Sequence, residues 1–216
     1  MSLLIVTVEK DRALVAVDTK GSFVTAPGAE PVHTLSVSKL YPFVAAGVVM
    51  ACRGTTDYLS TLLAACSAHH FAGFDEFELA LPNLLAVVEV ALCRRYEQMA
   101  VANHLDLARI EVCIIGASRS TGSMRAKMFA RTSSERGFVP EAIEQEWIQP
   151  WIWEDDDHQP PIPSSVSEVA RIARAQMAWC ERASPGQAAV GGSLIVVEMS
   201  SAGDLHIFNT GDFVAP

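Results

Sequence analysis

Ser2 is the first residue whose side chain could do chemistry, because it stands directly behind Met1. A serine hydroxyl is a weak nucleophile near neutral pH until a base removes its proton. A free α-amine, with an ordinary pKa of about 8, is such a base. Methionine aminopeptidases act before small residues, so removal of Met1 would leave Ser2 carrying both a hydroxyl and a free amine.

Three further residues in the first part of the chain have types that could assist such a nucleophile. Asp18 closes an apolar run sixteen residues after Ser2, and the next long apolar run lies between Lys39 and Gly54. Each residue type also has an ordinary structural use. An aspartate begins turns, a lysine at a strand end is solvated, and a glycine precedes many helices.

The remaining polar clusters lack the spacing of a metal or nucleotide site. His69 and His70 lie at a predicted helix end, where solvated histidines are expected. The acidic run 154–157, followed by His158, is typical of a solvated patch. The loop GASRSTG lacks the lysine of a phosphate-binding loop and predicts a hairpin turn. We therefore expect neither a metal nor another cofactor.

Composition indicates the number of domains, the cellular compartment and the classes of partner. The 216 residues are 50% hydrophobic, which predicts one well-filled domain over residues 1–216. A net charge of −9 disfavours nucleic acid as a partner, and no segment has the length of a membrane-spanning helix. The first apolar stretch is too short for a signal peptide, so we expect a cytoplasmic protein without a membrane partner.

The cysteines predict a reducing environment. They form no CxxC pair, and each lies in an apolar run, as small buried side chains do. We expect neither disulfides nor a zinc site from these five residues: Cys52, Cys66, Cys93, Cys113 and Cys180.

The apolar pattern predicts, in chain order, strands, two helices, further strands, a third helix and final strands. Short runs rich in Val, Leu and Ile predict strands over 3–8, 13–18, 22–25, 33–38, 43–52, 109–116, 123–130, 193–199 and 205–209. Apolar residues three and four apart predict helices over 56–69, 74–103 and 165–182. Pro82 marks a kink or a break in the second helix, and Ser165 with Glu168 forms a capping box for the third. The predicted buried stripe of the second helix is Leu84, Val87, Val88, Ala91 and Leu92.

Residues 135–163 predict a long surface excursion with aromatic anchors, because tryptophans, prolines and acidic residues interrupt any period. Trp147, Trp151 and Trp153 fit two interpretations, cover for a neighbouring subunit or contact with the chain's own core.

The grouping of helices disfavours a doubly wound parallel sheet. Many antiparallel strands with apolar residues on both faces predict an α+β fold, a four-layer αββα sandwich of two antiparallel sheets flanked by helices.

Four stretches together resemble a β-type subunit of the proteasome and its bacterial relatives, the N-terminal-nucleophile hydrolases. They are SLLIVTVEKDRALVAVDTKG, SKLYPFVAAGVVMACRGTTD, RIEVCIIGAS and GGSLIVVEMSSAGDLHIFN. That family begins its mature chain with a nucleophile and ends its second strand on an aspartate sixteen residues later, a spacing that Ser2 and Asp18 match. Lys39 resembles the family lysine at a strand start, and Gly54 the glycine before the first long helix.

The resemblance implies hydrolysis of peptide or small amide substrates. Ser2 would attack the carbonyl while its own amine takes and returns the proton. Lys39 would supply positive charge that favours the deprotonated groups, and Asp18 would orient Lys39. The Gly54 N–H would stabilise the oxyanion. The resemblance also implies assembly of identical subunits into a ring or stacked rings.

Some positions depart from the family pattern. Before its final double glycine the family usually has an aspartate and a serine that support the nucleophile, whereas GQAAVGG has Gln187, Ala188 and Val190. Lys20 replaces a commoner arginine, and the nucleophile is serine rather than threonine. Two alternatives to a peptidase therefore stay open. One is a catalytically silent relative that serves as an assembly or binding module, and the other is a small-molecule amidase on the same fold.

Overall fold

The computed structural model describes residues 2–23, 33–98, 110–131, 137–153, 159–183 and 190–212. The strand pairs formed within these ranges are all antiparallel, so the fold is mixed α/β with antiparallel sheets. The helices are α1 (Thr56–Ser67), α2 (Phe74–Gln98) and α3 (Val166–Ala183). The strands are β1 (Leu4–Val8), β2 (Arg12–Asp18), β3 (Lys20–Phe23), β4 (His33–Ser36), β5 (Leu40–Phe43), β6 (Val48–Arg53), β7 (Ile110–Ser118), β8 (Ser123–Arg131), β9 (Val139–Ile143), β10 (Glu146–Gln149), β11 (Ser193–Ser200) and β12 (Leu205–Asp212).

The first five-stranded sheet has the order β10-β1-β2-β11-β12. Its centre is the predicted hairpin of β1 and β2, in which Leu4 pairs with Val17. The Glu9 N–H donates to the Arg12 carbonyl at 2.8 Å and closes the turn between them. The predicted hairpin of β11 and β12 is also present, and β11 pairs with β2. The first two and the last two strands of the described residues therefore meet in this sheet.

The second five-stranded sheet runs in chain order, β5-β6-β7-β8-β9. The prediction of one strand over 43–52 is wrong. The chain reverses there through a single 3₁₀ turn, Val44–Ala46, and through Gly47, whose φ of 59° is left-handed. Glycine adopts this conformation without the steric cost that a side chain adds. The turn residues are as apolar as the strands, so the pattern did not reveal the reversal.

The helices agree with the predictions at their starts and differ at their ends. The helix predicted over 74–103 is α2, which contains Pro82 and extends to Gln98, and residues 99–103 lie outside the described ranges. The buried stripe of α2 differs in part, because Val87 and Ala91 are exposed. At α3, the Glu168 N–H donates to Ser165 Oγ at 3.3 Å, as the predicted capping box requires. The Glu168 carboxylate also accepts the Ser164 N–H, at 2.7 Å.

The surface excursion predicted over 135–163 is wrong for residues 139–149, which contain strands of the two five-stranded sheets. They supply β9, at the edge of the second sheet beside β8, and β10, at the edge of the first sheet beside β1. Trp147 and Trp153 pack against buried clusters of the chain's own core, whereas Trp151 is 42% exposed. Residues 154–158, with the acidic run, lie outside the described ranges.

Among the described residues, the buried apolar side chains form three clusters. The first joins α1 and α2 to the second sheet. The next contains residues of both sheets, such as Val6 of β1 and Ile115 of β7. The last joins α3 to the first sheet, with Ile172 near Ile5. The β3–β4 pair is a separate two-stranded sheet that begins two residues after Asp18.

Candidate active site

The pairing of β1 with β2 places Ser2 and Asp18 at the same end of the first sheet. Because Leu4 pairs with Val17, the register continues with Leu3 opposite Asp18 and Ser2 one residue further. The Leu3 N–H donates a hydrogen bond of 2.8 Å to Asp18 Oδ1. The sixteen-residue spacing in the sequence is thus the length that two paired strands and their tight turn require.

Asp18 is a fully buried carboxylate that accepts hydrogen bonds on both oxygens. Besides Leu3, Lys39 Nζ donates to Oδ1 at 2.9 Å, and the Gly191 N–H donates to Oδ2 at 3.2 Å. Asp18 is 0% exposed. A buried charge is costly unless it is paired and hydrogen-bonded. These donors compensate the charge and hold the carboxylate in one orientation.

Lys39 lies directly before β5, and its ammonium group reaches the candidate nucleophile. Nζ donates to Asp18 Oδ1 at 2.9 Å, to Ser2 Oγ at 3.2 Å and to the Lys20 carbonyl at 2.6 Å. An ammonium group has three donors and no acceptor, so these contacts use all its hydrogens. Since Ser2 Oγ accepts from Lys39, the Ser2 hydroxyl hydrogen is left to be donated elsewhere.

Burial lowers the pKa of Lys39 from its ordinary value of 10.5. The charge and the hydrogen bond of Asp18 act in the opposite direction, and the positive charge of Arg53 adds to the lowering. Arg53 is held by Glu111, which lies opposite it on β7, through an ion pair of 2.6 Å. Lys39 therefore releases its proton more readily than a solvated lysine. Such shifts are common at catalytic sites and also occur in structural ion pairs.

A pair of consecutive glycines forms a further wall of the site. The Gly191 carbonyl accepts the Lys20 N–H at 3.0 Å, in addition to the bond that its N–H gives to Asp18. Gly192 has a φ of 73°, and a Cβ there would lie 2.6 Å from Thr19 Oγ1. Sequence reasoning used this pair only as a landmark. Two adjacent glycines at a strand start are a signal of close backbone approach, and they could have been predicted to contact the site.

Gly54 lies between β6 and α1, as predicted, with a φ of 142° that favours glycine. The Cys52 N–H donates to the Lys39 carbonyl at 2.8 Å, which places the end of β6 beside Lys39. No hydrogen bond between described residues joins Gly54 to Ser2. Hydrogen bonds thus bring three of the predicted site residues together, and Gly54 lies two residues after Cys52.

The structure also shows where the other residues discussed in the sequence analysis lie. His69 and His70 are exposed just after α1. The cysteines are all free, and the expectation that each is buried is wrong for Cys93, which is exposed on α2. Gln187 and Ala188 lie outside the described residues, whereas Val190 is buried. Among the described residues, no helix has the length and apolar character needed to cross a bilayer.

The fold is similar to that of Anbu proteins, and this likeness indicates, at a coarse level, a proteasome-like fold. A Gly-1 mutant of Anbu from Hyphomicrobium sp. strain MC1 has a TM-score of 0.60 and 11% identity, over 98% of this chain and 88% of that one. Anbu from Yersinia bercovieri, described as an ancestral β-subunit, has a TM-score of 0.61 and 12% identity, over 98% and 87%. The sequence matches no protein-family model and no curated protein.

Gly192→Ala tests the close approach of the double glycine to Thr19. We expect it to lower the free energy of unfolding by about 2–4 kcal/mol, because a side chain at positive φ is strained and its Cβ would overlap Thr19 Oγ1. Gly122→Ala is the matched control, since its φ is 64° and nothing lies within 4 Å of an added Cβ. Urea unfolding measures both variants. Equal losses would contradict tight packing of Gly192 on Thr19.

The pKa of Lys39 should be below 10.5 in the folded protein, because burial penalises the ammonium charge. A carbon-13 NMR titration of the lysine Cε signals measures it, with Lys39→Arg to assign the signal. The unfolded chain then holds this proton more tightly than the folded chain. Lys39 therefore makes the free energy of unfolding rise with pH between its folded pKa and 10.5. A measured pKa of 10.5 or more would refute the effect of burial.

Proposed function

We propose that the chain hydrolyses amide bonds with Ser2 as an N-terminal nucleophile and the α-amine of Ser2 as the general base. Asp18 orients Lys39, Lys39 supplies positive charge beside the nucleophile, and the Gly54 N–H stabilises the oxyanion. The substrate is a peptide or a small amide. We further propose that residues 1–216 form a single domain with a four-layer αββα architecture.

The observation that carries this proposal is the 3.2 Å hydrogen bond from Lys39 Nζ to Ser2 Oγ. Lys39 is paired with a carboxylate that is fully buried, and its own side chain is 6% exposed. In such surroundings an ammonium group stabilises developing negative charge on a neighbouring oxygen more strongly than in water. A serine placed only by its position behind a start codon has no reason to contact a buried lysine.

The proposed reaction has two covalent steps. The Ser2 oxygen attacks the amide carbonyl carbon while the hydroxyl proton moves to the α-amine of Ser2. The Gly54 N–H donates to the oxyanion, a contribution of about 3 kcal/mol in comparable sites. The proton then passes from the ammonium group to the leaving amine as the C–N bond breaks, which leaves an ester on Ser2. Water, deprotonated by the same amine, hydrolyses the ester and restores the hydroxyl.

A catalytically silent assembly or binding module is the second candidate. The observation in its favour is Val190, an apolar side chain that is only 2% exposed in the segment where the resemblance implies polar support for the nucleophile. A small-molecule amidase differs from a peptidase only in substrate. Turnover of small amides without turnover of a peptide panel would identify it.

We also propose that the chain forms a homo-oligomer, a ring or stacked rings, in the cytoplasm. The support is the resemblance to β-type subunits and the description of the Yersinia bercovieri structure as an ancestral β-subunit. A nucleic-acid partner does not suit the net charge of −9.

Covalent labelling tests the nucleophile. An epoxyketone or a β-lactone should add once per chain to the processed protein, and Ser2→Ala should abolish the adduct because it removes the attacking oxygen. Ser60→Ala, an exposed serine on α1, should be labelled like the wild type. Intact-mass spectrometry measures all three proteins. Undiminished labelling of Ser2→Ala would exclude Ser2 as the nucleophile.

Processing of the N-terminus gives an independent test. Protein made without an N-terminal tag should lack Met1. The proposed general base is the α-amine of Ser2, and this amine is free only after Met1 has been removed. The fraction that an inhibitor labels should equal the processed fraction, since a chain that retains Met1 has no amine at the right place. Intact mass before and after aminopeptidase treatment measures both. A chain that keeps Met1 after treatment would support the silent module instead.

A further inference from the structure

Helix α2 has an exposed apolar stripe opposite its buried face. The buried face includes Phe77, Leu81 and Leu85 and packs on the second sheet. On the other side, Leu79 is 80% exposed, and the valines at positions 87 and 90 are 61% and 51% exposed. Residues at these spacings share one side of a helix. A line of exposed apolar side chains marks an interaction surface more often than scattered ones do.

Residues of opposite charge lie at the two ends of this stripe. Glu76 lies in the first turn of α2, and Arg94 lies near its end, and both are exposed. They are 18 residues apart (94 − 76), which is five turns, or about 27 Å along the helix. They therefore lie on the same side of α2, with Leu79 and Val90 between them. Along this side the order is acid, apolar residues, base.

We propose that this stripe is a self-association surface, on which α2 of one chain packs antiparallel against α2 of a second copy. A two-fold axis near the middle of the stripe, between Asn83 and Val87, places Glu76 of each copy beside Arg94 of the other. The same axis brings Leu79 towards Val90 of the other copy. The site of contact rests on the proposed homo-oligomeric assembly and does not depend on hydrolysis.

The charge order selects a second copy as the occupant. In a two-fold interface each patch meets itself in reverse, so a surface must be complementary to its own reversal. Acid–apolar–base has this property when two helices run antiparallel, whereas a parallel pair would place Glu76 against Glu76. An anionic membrane is a poorer fit, because Glu76 offsets the charge of Arg94 within the stripe and the chain has a net charge of −9.

Charge reversal across the interface tests the surface. The wild type should associate in sedimentation velocity and light scattering. Glu76→Arg and Arg94→Glu should each raise the dissociation constant about tenfold, since each reversal turns two cross-chain attractions into repulsions. The double variant Glu76→Arg/Arg94→Glu should associate like the wild type, because every acid again faces a base. Glu141→Arg on β9 and Arg174→Glu on α3 are exposed controls that should leave the constant unchanged.

A further variant disrupts the apolar part of the contact. Leu79→Glu should weaken association about a hundredfold, because it places a charge among the apolar side chains of the contact. Its 80% exposure means that folding of the monomer does not depend on it. Glu76 also accepts the Ala72 N–H at 2.7 Å, so thermal unfolding is measured for each variant to separate loss of this cap from loss of association.

The outcomes separate the surface from the assembly. Recovery of association in the double variant supports the antiparallel contact, since no single-chain effect restores it. A wild-type oligomer that neither single reversal nor Leu79→Glu weakens would overturn the surface and leave the proposed assembly standing. A wild type that stays monomeric at every concentration would overturn both, and inhibitor labelling would report separately on the hydrolase.

Discussion

The buried ion pair between Asp18 and Lys39 is the interaction on which the candidate site depends. Asp18 ends β2 of the first sheet, and Lys39 precedes β5 of the second, so their 2.9 Å contact joins the two sheets at one end. Each charge is removed from water, and each would be costly alone. A change in the spacing between the two sheets would therefore also move the ammonium group of Lys39.

The composition of this pair is easier to explain by reactivity than by stability. Well-packed hydrophobic residues in place of a buried ion pair are often neutral or stabilising. Here the ammonium group also contacts Ser2 Oγ and a backbone carbonyl, and the carboxylate also holds the backbone next to Ser2. Proteins depart from the most stable local choice mainly at functional sites. Lys39 contacts the Ser2 hydroxyl and Asp18 holds the backbone beside it, as the proposed activation of Ser2 requires.

The sequence predicted the features that depend on near neighbours. Ser2 and Asp18 could be placed together because adjacent paired strands determine their separation. Helices α1 and α3 followed from their apolar spacing, and α3 also from its capping box. The position of Lys39 came from the resemblance alone, since nothing local relates it to Asp18. The turn through Gly47 was missed because apolar residues on both sides concealed it. The double glycine signals a close backbone approach, but the hydrogen bond from Gly191 to Asp18 joins residues 173 positions apart, so no local pattern identifies Asp18 as the partner.

That long separation has a consequence during biosynthesis. The carboxylate of Asp18 gains its donor from Gly191 only after residues 19–191 have been synthesised, because contacts between distant residues form after the intervening segments are available. A nascent chain would thus carry an exposed N-terminal serine while the surroundings of that serine are still incomplete. Any reactivity that the finished arrangement confers would begin only after β11 has been made and has paired with β2.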